Sequence, residues 1–355
     1  MARIVLAYSG GRDASNAVSW LRDTQDADVI AVTVDVGQGQ QLEAVRDRAL
    51  AAGAVRAHVL DLREELARDF IVPALKADAL SETGVPVGPA LIRPLIAHAL
   101  VKIAGIEQAA AVAHGGADRS PLDTAVRALN PALRIIAASS AHASTPHLTA
   151  AASSPLRADG NLWGRTVSGA ALDEEGGPIP EALYALTKPA AERPAEPASV
   201  EIAFERGAPA AINGVAMPLL EMLNSLATIA GAHGVGRIVV QQTVAGVSRR
   251  TLHEAPAAFV LHAAHRELQA LVTAPELDRF SRVVSREYAH LVCGGLWYSP
   301  LRGALDAFVD RIQERVTGRV RLKLFNGDCR IVGRTSPHAG HDDGAPQTQD
   351  SVVGA

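Results

Sequence analysis

The sequence predicts an α/β protein: a doubly wound parallel sheet followed by a second domain of α+β type. Three observations carry that prediction. A strand, glycine turn and helix open the chain and the unit recurs. Glycine pairs, Gly10-Gly11 and Gly115-Gly116, follow two of the predicted strands. After Ser199 the strand–helix alternation gives way to hairpin signals. Strands alternating with helices imply parallel pairing, because each helix must carry the chain back to the starting edge of the sheet.

The elements follow in order. Ile4 to Tyr8 is a short β-rich apolar run, Ser9-Gly10-Gly11 turns the chain, and from Asn16 to Leu21 a helical pattern begins with Ala17, Val18, Trp20 and Leu21. Val29 to Val34 reads as a buried strand, Gln41 to Ala52 as a helix ended by Gly53, and Ala57 to Leu60 as a third strand. Leu91 to Gly105 is a helix leading to the strand Ala109 to Ala113, after which His114-Gly115-Gly116 turns at a carboxyl end, where ligands sit in such sheets. Ala137 to Gly160, rich in Ala, Ser, Thr and Pro, and the proline-rich stretch Pro189 to Pro197 read as mobile or linking segments. In the second domain Val200 starts a strand, Gly207 to Gly214 signals a hairpin, and Pro218 to Ala230 a helix. Asp306 to Val316 is a helix, and Val320 to Phe325 and Arg330 to Val332 are strands joined by Asn326-Gly327. No internal repeat is present. The predicted division is residues 1–160, 161–337 and a disordered tail 338–355.

Composition narrows the function classes. With 355 residues, 48% hydrophobic and 20% charged, the chain can bury real cores and is not globally disordered. With 34 basic against 38 acidic residues and a net charge of −4, nothing attracts nucleic acid or an anionic membrane, so small molecules are the expected partners. Two cysteines, Cys293 and Cys329, make neither a disulfide framework nor a four-ligand zinc site. The histidines have no metal-ligand spacing, and no metal site built from protein ligands is expected. The amino terminus has too brief an apolar run for a signal peptide, and no uninterrupted membrane-length apolar span follows, so a cytoplasmic protein is expected.

The sharpest motif is Ala7-Tyr8-Ser9-Gly10-Gly11-Arg12-Asp13-Ala14-Ser15 between a strand and a helix. Adjacent glycines let the backbone approach a ligand, the amides and the hydroxyls of Ser9 and Ser15 can donate to phosphate oxygens, and the helix presents its positive end. There is no Walker lysine and no G-x-G-x-x-G, which excludes P-loop and dinucleotide readings. Asp13 has the chemistry to orient a backbone amide or hold Mg2+ on the phosphates.

This loop resembles the argininosuccinate synthase family, within the ATP pyrophosphatase group that shares S-G-G-x-D. Further segments match in family order, among them Thr33-Val-Asp-Val-Gly-Gln, Ile92-Arg-Pro-Leu-Ile-Ala, Ala113-His-Gly, Asn161-Leu-Trp-Gly-Arg, Glu254-Ala-Pro and Gly295-Leu-Trp-Tyr-Ser-Pro, so residues 2 to 337 are covered. The resemblance implies an adenine nucleotide α-hydrolase-like fold and ATP with Mg2+. It implies nucleotide contacts from residues Ala7 through Ser15, with Asp13 and Ser15 as catalytic candidates, and from Val34 and Gly115. It implies a reaction in which ATP adenylates the ureido oxygen of citrulline, releasing pyrophosphate, and aspartate displaces AMP.

The amino-acid pocket departs from the family pattern. The family's H-G-x-T-G-K-G-N-D-Q-V-R becomes His114-Gly115-Gly116-Ala117-Asp118-Arg119-Ser120-Pro121-Leu122-Asp123 and onward. Aligned without a gap, Ala117, Pro121 and Leu122 fall on aspartate-gripping positions, whereas a two-residue insertion puts Arg127 on the family's arginine and leaves Asp123 near its asparagine. Citrulline contacts become Val85, Ala90, Arg157 and Thr166, then Gln241, within one residue, and His253. Each buried partner left unpaired removes about 1 to 3 kcal/mol, which leads to the expectation of an AMP-forming C–N ligase acting on an acceptor other than citrulline. Ordinary argininosuccinate synthase activity and a non-catalytic nucleotide-binding homologue are the alternatives. A small-molecule acceptor and an amine donor are the expected partners. The shortened C-terminal arm favours a homodimer over the family's tetramer.

Overall fold

In the computed structural model, residues 2–39, 41–116, 120–138, 156–173, 177–244 and 247–340 are described. The first sheet is parallel, in the order β3-β2-β1-β4-β5, and comprises β1 (Ala2–Ala7), β2 (Ala27–Asp35), β3 (Arg56–Asp61), β4 (Ala111–His114) and β5 (Arg134–Ala137). Its strands read as apolar runs because both faces are covered. Ile4 and Leu6 point into one core with Ala17, Val18 and Leu21 of α1 (Arg12–Gln25) and Val45 of α2 (Leu42–Ala51). Val5, one residue out of phase, points into a second core with Leu100 of α5 (Gly88–Glu107) and Val126 of α6 (Pro121–Leu129). Between β3 and α5 the chain forms α3 (Arg63–Glu65), a π-helical stretch Leu66–Ile71 and α4 (Val72–Lys76).

Among the described residues, helix α5 is long and apolar enough to cross a membrane by length and composition, although Arg93 and Lys102 interrupt it, and half of its apolar window is buried. Its contacts with β1, β2, β4 and α6 account for that apolarity: it is a core helix with protein on several sides.

The rest of the described chain is antiparallel sheet and helix. The stretch read as linking from Ala137 to Gly160 contains β6 (Arg157–Asn161), which pairs with β7 (Gly164–Ser168); residues 139–155 lie outside the described residues. Alternating polarity was too weak in Arg-Ala-Asp-Gly-Asn to signal a strand, and cross-strand pairing makes it one. One sheet runs β11-β12-β7-β6, with β11 (Arg237–Val244) and β12 (Val247–Glu254). The other runs β10-β9-β8-β13-β14, from β8 (Ala198–Glu205), β9 (Ala208–Ile212), β10 (Val215–Ala216), β13 (Gly318–Phe325) and β14 (Asp328–Thr335). Both predicted Asn-Gly turns form here, with φ of 50° and 79° at Asn213-Gly214 and 47° and 88° at Asn326-Gly327, the paired positive values that a tight hairpin needs.

Helices α7 (Leu219–Ala232), α8 (Pro256–Val272), α9 (Pro275–Cys293) and α10 (Pro300–Gln313) complete the described fold. The largest core joins α8 and β13 to the segment before α5, where Phe70 stacks on Trp297 at 4.8 Å between ring centroids. The predicted tail 338–355 is described only to Gly340.

His265 lies wholly buried on α8, its Nε2 bonded to Gln313 Oε1 at 2.8 Å, and burial lowers its pKa from 6.5 to about 4. Between those values the unfolded chain binds a proton that the folded chain refuses, so stability rises with pH across the window and is lost on acidification. Melting temperature is expected to fall from pH 6.5 towards pH 4, and His265→Gln to flatten that slope. Parallel pH profiles for the two proteins would assign the acid sensitivity elsewhere.

Candidate functional site at the carboxyl edge of the parallel sheet

A cavity of about 410 Å³ opens at the carboxyl ends of β1 and β2. Ala7, Tyr8 and Ser9 form one wall, Val34 and Val36 another, and Pro89 and Arg93 of α5 with Asp159 and Asn161 of β6 close it. Strand ends meet here because β1 leaves the sheet into α1, which opens a crevice that regular pairing would fill.

The loop Ser9 to Ser15 is shaped for an anion. Gly10 sits at φ +80°, and a Cβ there would lie 2.9 Å from both Val45 methyl carbons, so only glycine fits without displacing α2. Arg48 of α2 braces the turn from behind by donating through Nε to the Gly10 carbonyl at 3.2 Å. Gly11 is the N-cap of α1 and brings no side-chain cap, which leaves the amides of the first turn turned outward with the helix's positive end. Tyr8, buried, has its hydroxyl 2.7 Å from Ser15 Oγ, which in turn donates to the Gly11 carbonyl at 3.3 Å. Thr33 Oγ1 donates to the Tyr8 carbonyl at 2.9 Å, tying the start of the loop to β2. Arg12 and Asp13 are exposed and Ala14 packs inward against the α1 side of the sheet.

No group of three or more His, Cys, Asp or Glu able to cage a metal exists among the described residues. Asp13, beside the glycine loop, is a single exposed carboxylate, and Mg2+ is characteristically held through one or two carboxylates with water and phosphate oxygens filling the rest of its shell.

The remaining predicted site residues divide. Gly115 is exposed just beyond β4, and Ala117 lies outside the described residues. Asp123 is buried, its Oδ1 accepting from His114 Nε2 at 2.6 Å and from Ser120 Oγ at 2.8 Å, while the Gly116 amide donates to His114 Nδ1 at 3.1 Å. Those bonds make the imidazole the Nε2–H tautomer and use the carboxylate to hold the turn after β4 onto α6. Arg127 stands one turn farther along α6, exposed. Asp123→Ala is expected to lower stability by about 1–3 kcal/mol in urea unfolding, because it strands the His114 donor; a change within error would show that the pair does not pin the turn.

Val85 and Ala90 are buried, outside the cavity lining, although Pro89 between Gly88 and Ala90 reaches it. Asp159, Thr166 and His253 are directly opposite one another across β6, β7 and β12, so all three share one face of the sheet, which Asp159 carries to the cavity. Thr166 Oγ1 lies 3.1 Å from His253 Nδ1, and burial lowers the His253 pKa. Arg157, two residues before Asp159, is exposed on the same face. Gln241 does not join them: His253 pairs with Ile238, three residues away, so Gln241 faces the opposite side and bonds Ser248 Oγ at 2.9 Å. The two-residue period places its neighbour Gln242 on the His253 face instead. Gln38, Arg93, Asp159 and Asn161 were not singled out from the sequence. Gln38, Arg93 and Asn161 lay within family-like segments, which was the available signal.

The parallel sheet and its glycine loop define a nucleotide-binding domain of the ATP pyrophosphatase class. Residues 3–150 match the model described as the arginosuccinate synthase N-terminal HUP domain, and residues 157–349 match the arginosuccinate synthase C-terminal domain. The chain is 41% identical to the argininosuccinate synthase of Dictyoglomus turgidum over 376 aligned positions, covering 99% of this chain and 94% of that protein. It is 42% identical to the argininosuccinate synthase of Symbiobacterium thermophilum, covering 95% of this chain and 88% of that protein. The chain belongs to the argininosuccinate synthase family, whose members are ATP-dependent ligases forming C–N bonds.

Proposed function

We propose that the chain carries out the argininosuccinate synthase reaction: ATP adenylates the ureido oxygen of citrulline with release of pyrophosphate, and the amine of aspartate then displaces AMP. The observation that carries this is the uncapped α1 terminus behind the positive-φ Gly10, set at one end of a cavity large enough for a nucleoside. The identity to argininosuccinate synthases over nearly the whole chain supports it.

In this reading the first-turn amides of α1 and the hydroxyl of Ser9 bind the phosphates and stabilise the charge that grows on departing pyrophosphate. Tyr8 holds Ser15 in place for the same task. Asp13 would hold Mg2+, which when bound neutralises phosphate charge. The base and ribose occupy the cavity between β2 and α5, and the acceptor approaches along the face of Asp159, Thr166 and His253. Holding an amine beside an activated carbon converts the second step into an effectively unimolecular one. A cytoplasmic location goes with the same reading.

A second reading, the same chemistry on an acceptor other than citrulline, is favoured by one observation. Val85 and Ala90 offer no polar side-chain atom, and Thr166 and His253 bond to each other. One assay separates the readings: the protein with MgATP, aspartate and citrulline, then a panel of ureido, amide and carboxylate acceptors, followed for pyrophosphate, AMP and product mass. Argininosuccinate is the expected product. AMP with another acceptor only would establish the second reading, and ATP binding with no pyrophosphate from any acceptor would sink both in favour of a non-catalytic homologue.

A further inference from the structure

One polar pair on the cavity wall has no part in phosphate binding. The carbonyls of β2 alternate in direction: Asp35 accepts from the Leu62 amide on the β3 side, and Val32 accepts from the Tyr8 amide on the β1 side, both near 3 Å (3.0 and 2.9 Å). The two-residue period therefore turns the Val34 carbonyl to the β1 side as well. There β1 has already ended, at Ala7, so the paired strand offers that carbonyl no amide. Its partner is instead the side chain of Gln38, whose Nε2 donates to Val34 O at 2.7 Å while its Oε1 accepts from the Val36 amide, also at 2.7 Å. Val34, Val36 and Gln38 all line the cavity. The orientation of the carboxamide follows from its partners: an amide N–H must meet its oxygen and a carbonyl its NH2.

A carboxamide presents an acceptor beside a donor in one plane, as does the N1/N6 edge of adenine. We infer that the Gln38 carboxamide is a resident surrogate for the adenine edge, occupying the Val34 carbonyl and Val36 amide until nucleotide displaces it. The inference rests on the nucleotide reading above and adds to it a competing group within the chain. Adenine docked on this backbone pair would give its N6 amino group to Val34 and take the Val36 N–H at N1. Hypoxanthine presents the reverse, an N1–H donor and an O6 acceptor, and meets carbonyl with oxygen. The pair therefore selects 6-aminopurines, and Gln38 lowers the apparent affinity by the fraction of time it holds the edge. Gln38 is itself half-buried at the cavity rim, so the displaced carboxamide has water within reach.

The test is calorimetric binding of ATP and of inosine triphosphate to the full chain, to Gln38→Ala and to Gln38→Met, with ligand-free melting temperatures for each. Gln38→Ala is expected to bind ATP severalfold more tightly than the unaltered protein, and all three to prefer ATP over inosine triphosphate. Gln38→Met, which keeps the stem, serves the same purpose if the alanine variant does not fold. ATP affinity that is unchanged or weakened in a folded variant would overturn the inference and leave Gln38 as a brace of the turn. Equal affinity for the two nucleotides would overturn the assignment of the edge. Failure of the unaltered protein to bind ATP at all would instead overturn the nucleotide reading, and this inference with it.

Discussion

Gly10→Ala is expected to cut ATP-dependent pyrophosphate release about 100-fold or more while the chain still folds. The substituted residue would need φ near +80°, where an L side chain is disfavoured by about 1–2 kcal/mol, and its Cβ would meet the Val45 methyls at 2.9 Å. The strain is relieved either by moving α2 or by changing the turn, where Ser9 and Gly11 on either side of Gly10 are exposed and Arg48 alone bonds the Gly10 carbonyl through its side chain. A changed turn misaims the first amides of α1, and losing one such donor to a developing oxyanion removes about 100- to 1,000-fold in rate. Single-turnover pyrophosphate release and a melting curve on the same preparation separate the two effects. Wild-type release by a folded Gly10→Ala protein would show that the loop does not hold the phosphates.

Glu254→Ala should produce the largest loss of stability, about 3–5 kcal/mol, read as a drop in the urea midpoint. Glu254 is 0% exposed, yet its carboxylate is saturated. It accepts from the amides of Ala185, Leu186 and Thr187, from Thr187 Oγ1 and from Arg165, at 2.6 to 3.0 Å. Removing it leaves the amides of residues 185–187 without their acceptor and half-buried Arg165 with only the Leu183 carbonyl, at the strand end next to His253 and Thr166. Arg165→Ala alone should cost less, because the backbone donors remain. A Glu254→Ala protein within about 1 kcal/mol of wild type would mean that the 185–187 segment is anchored by its other contacts.

The geometry of the glycine loop was legible because its signal is local. Strand, two glycines and helix are consecutive, and the left-handed φ of Gly10 is a property of a residue and its immediate neighbours. The Asn213-Gly214 and Asn326-Gly327 turns were legible for the same reason. The strand β6 was not, since only pairing with β7 makes a strand of Arg-Ala-Asp-Gly-Asn. Helix α5 reads as a candidate membrane span in isolation and is a core helix because the sheet and α6 cover it.

The acceptor side shows the same division. Counting along the chain cannot say whether Gln241 or Gln242 shares a face with His253, because that depends on the register of β11 against β12; the observed pairing chooses Gln242. Nor can it say that Asp123 bonds His114, that Asp159 and Arg93 reach the cavity at the carboxyl edge of the sheet, or that Gln38 takes the open edge of β2. The sequence by itself determined the sheet, the loop and the family, all written in contiguous residue types. Tertiary structure alone decided which side chains face one another, because long-range register and burial set the partners of a polar group, and an interior group must find one.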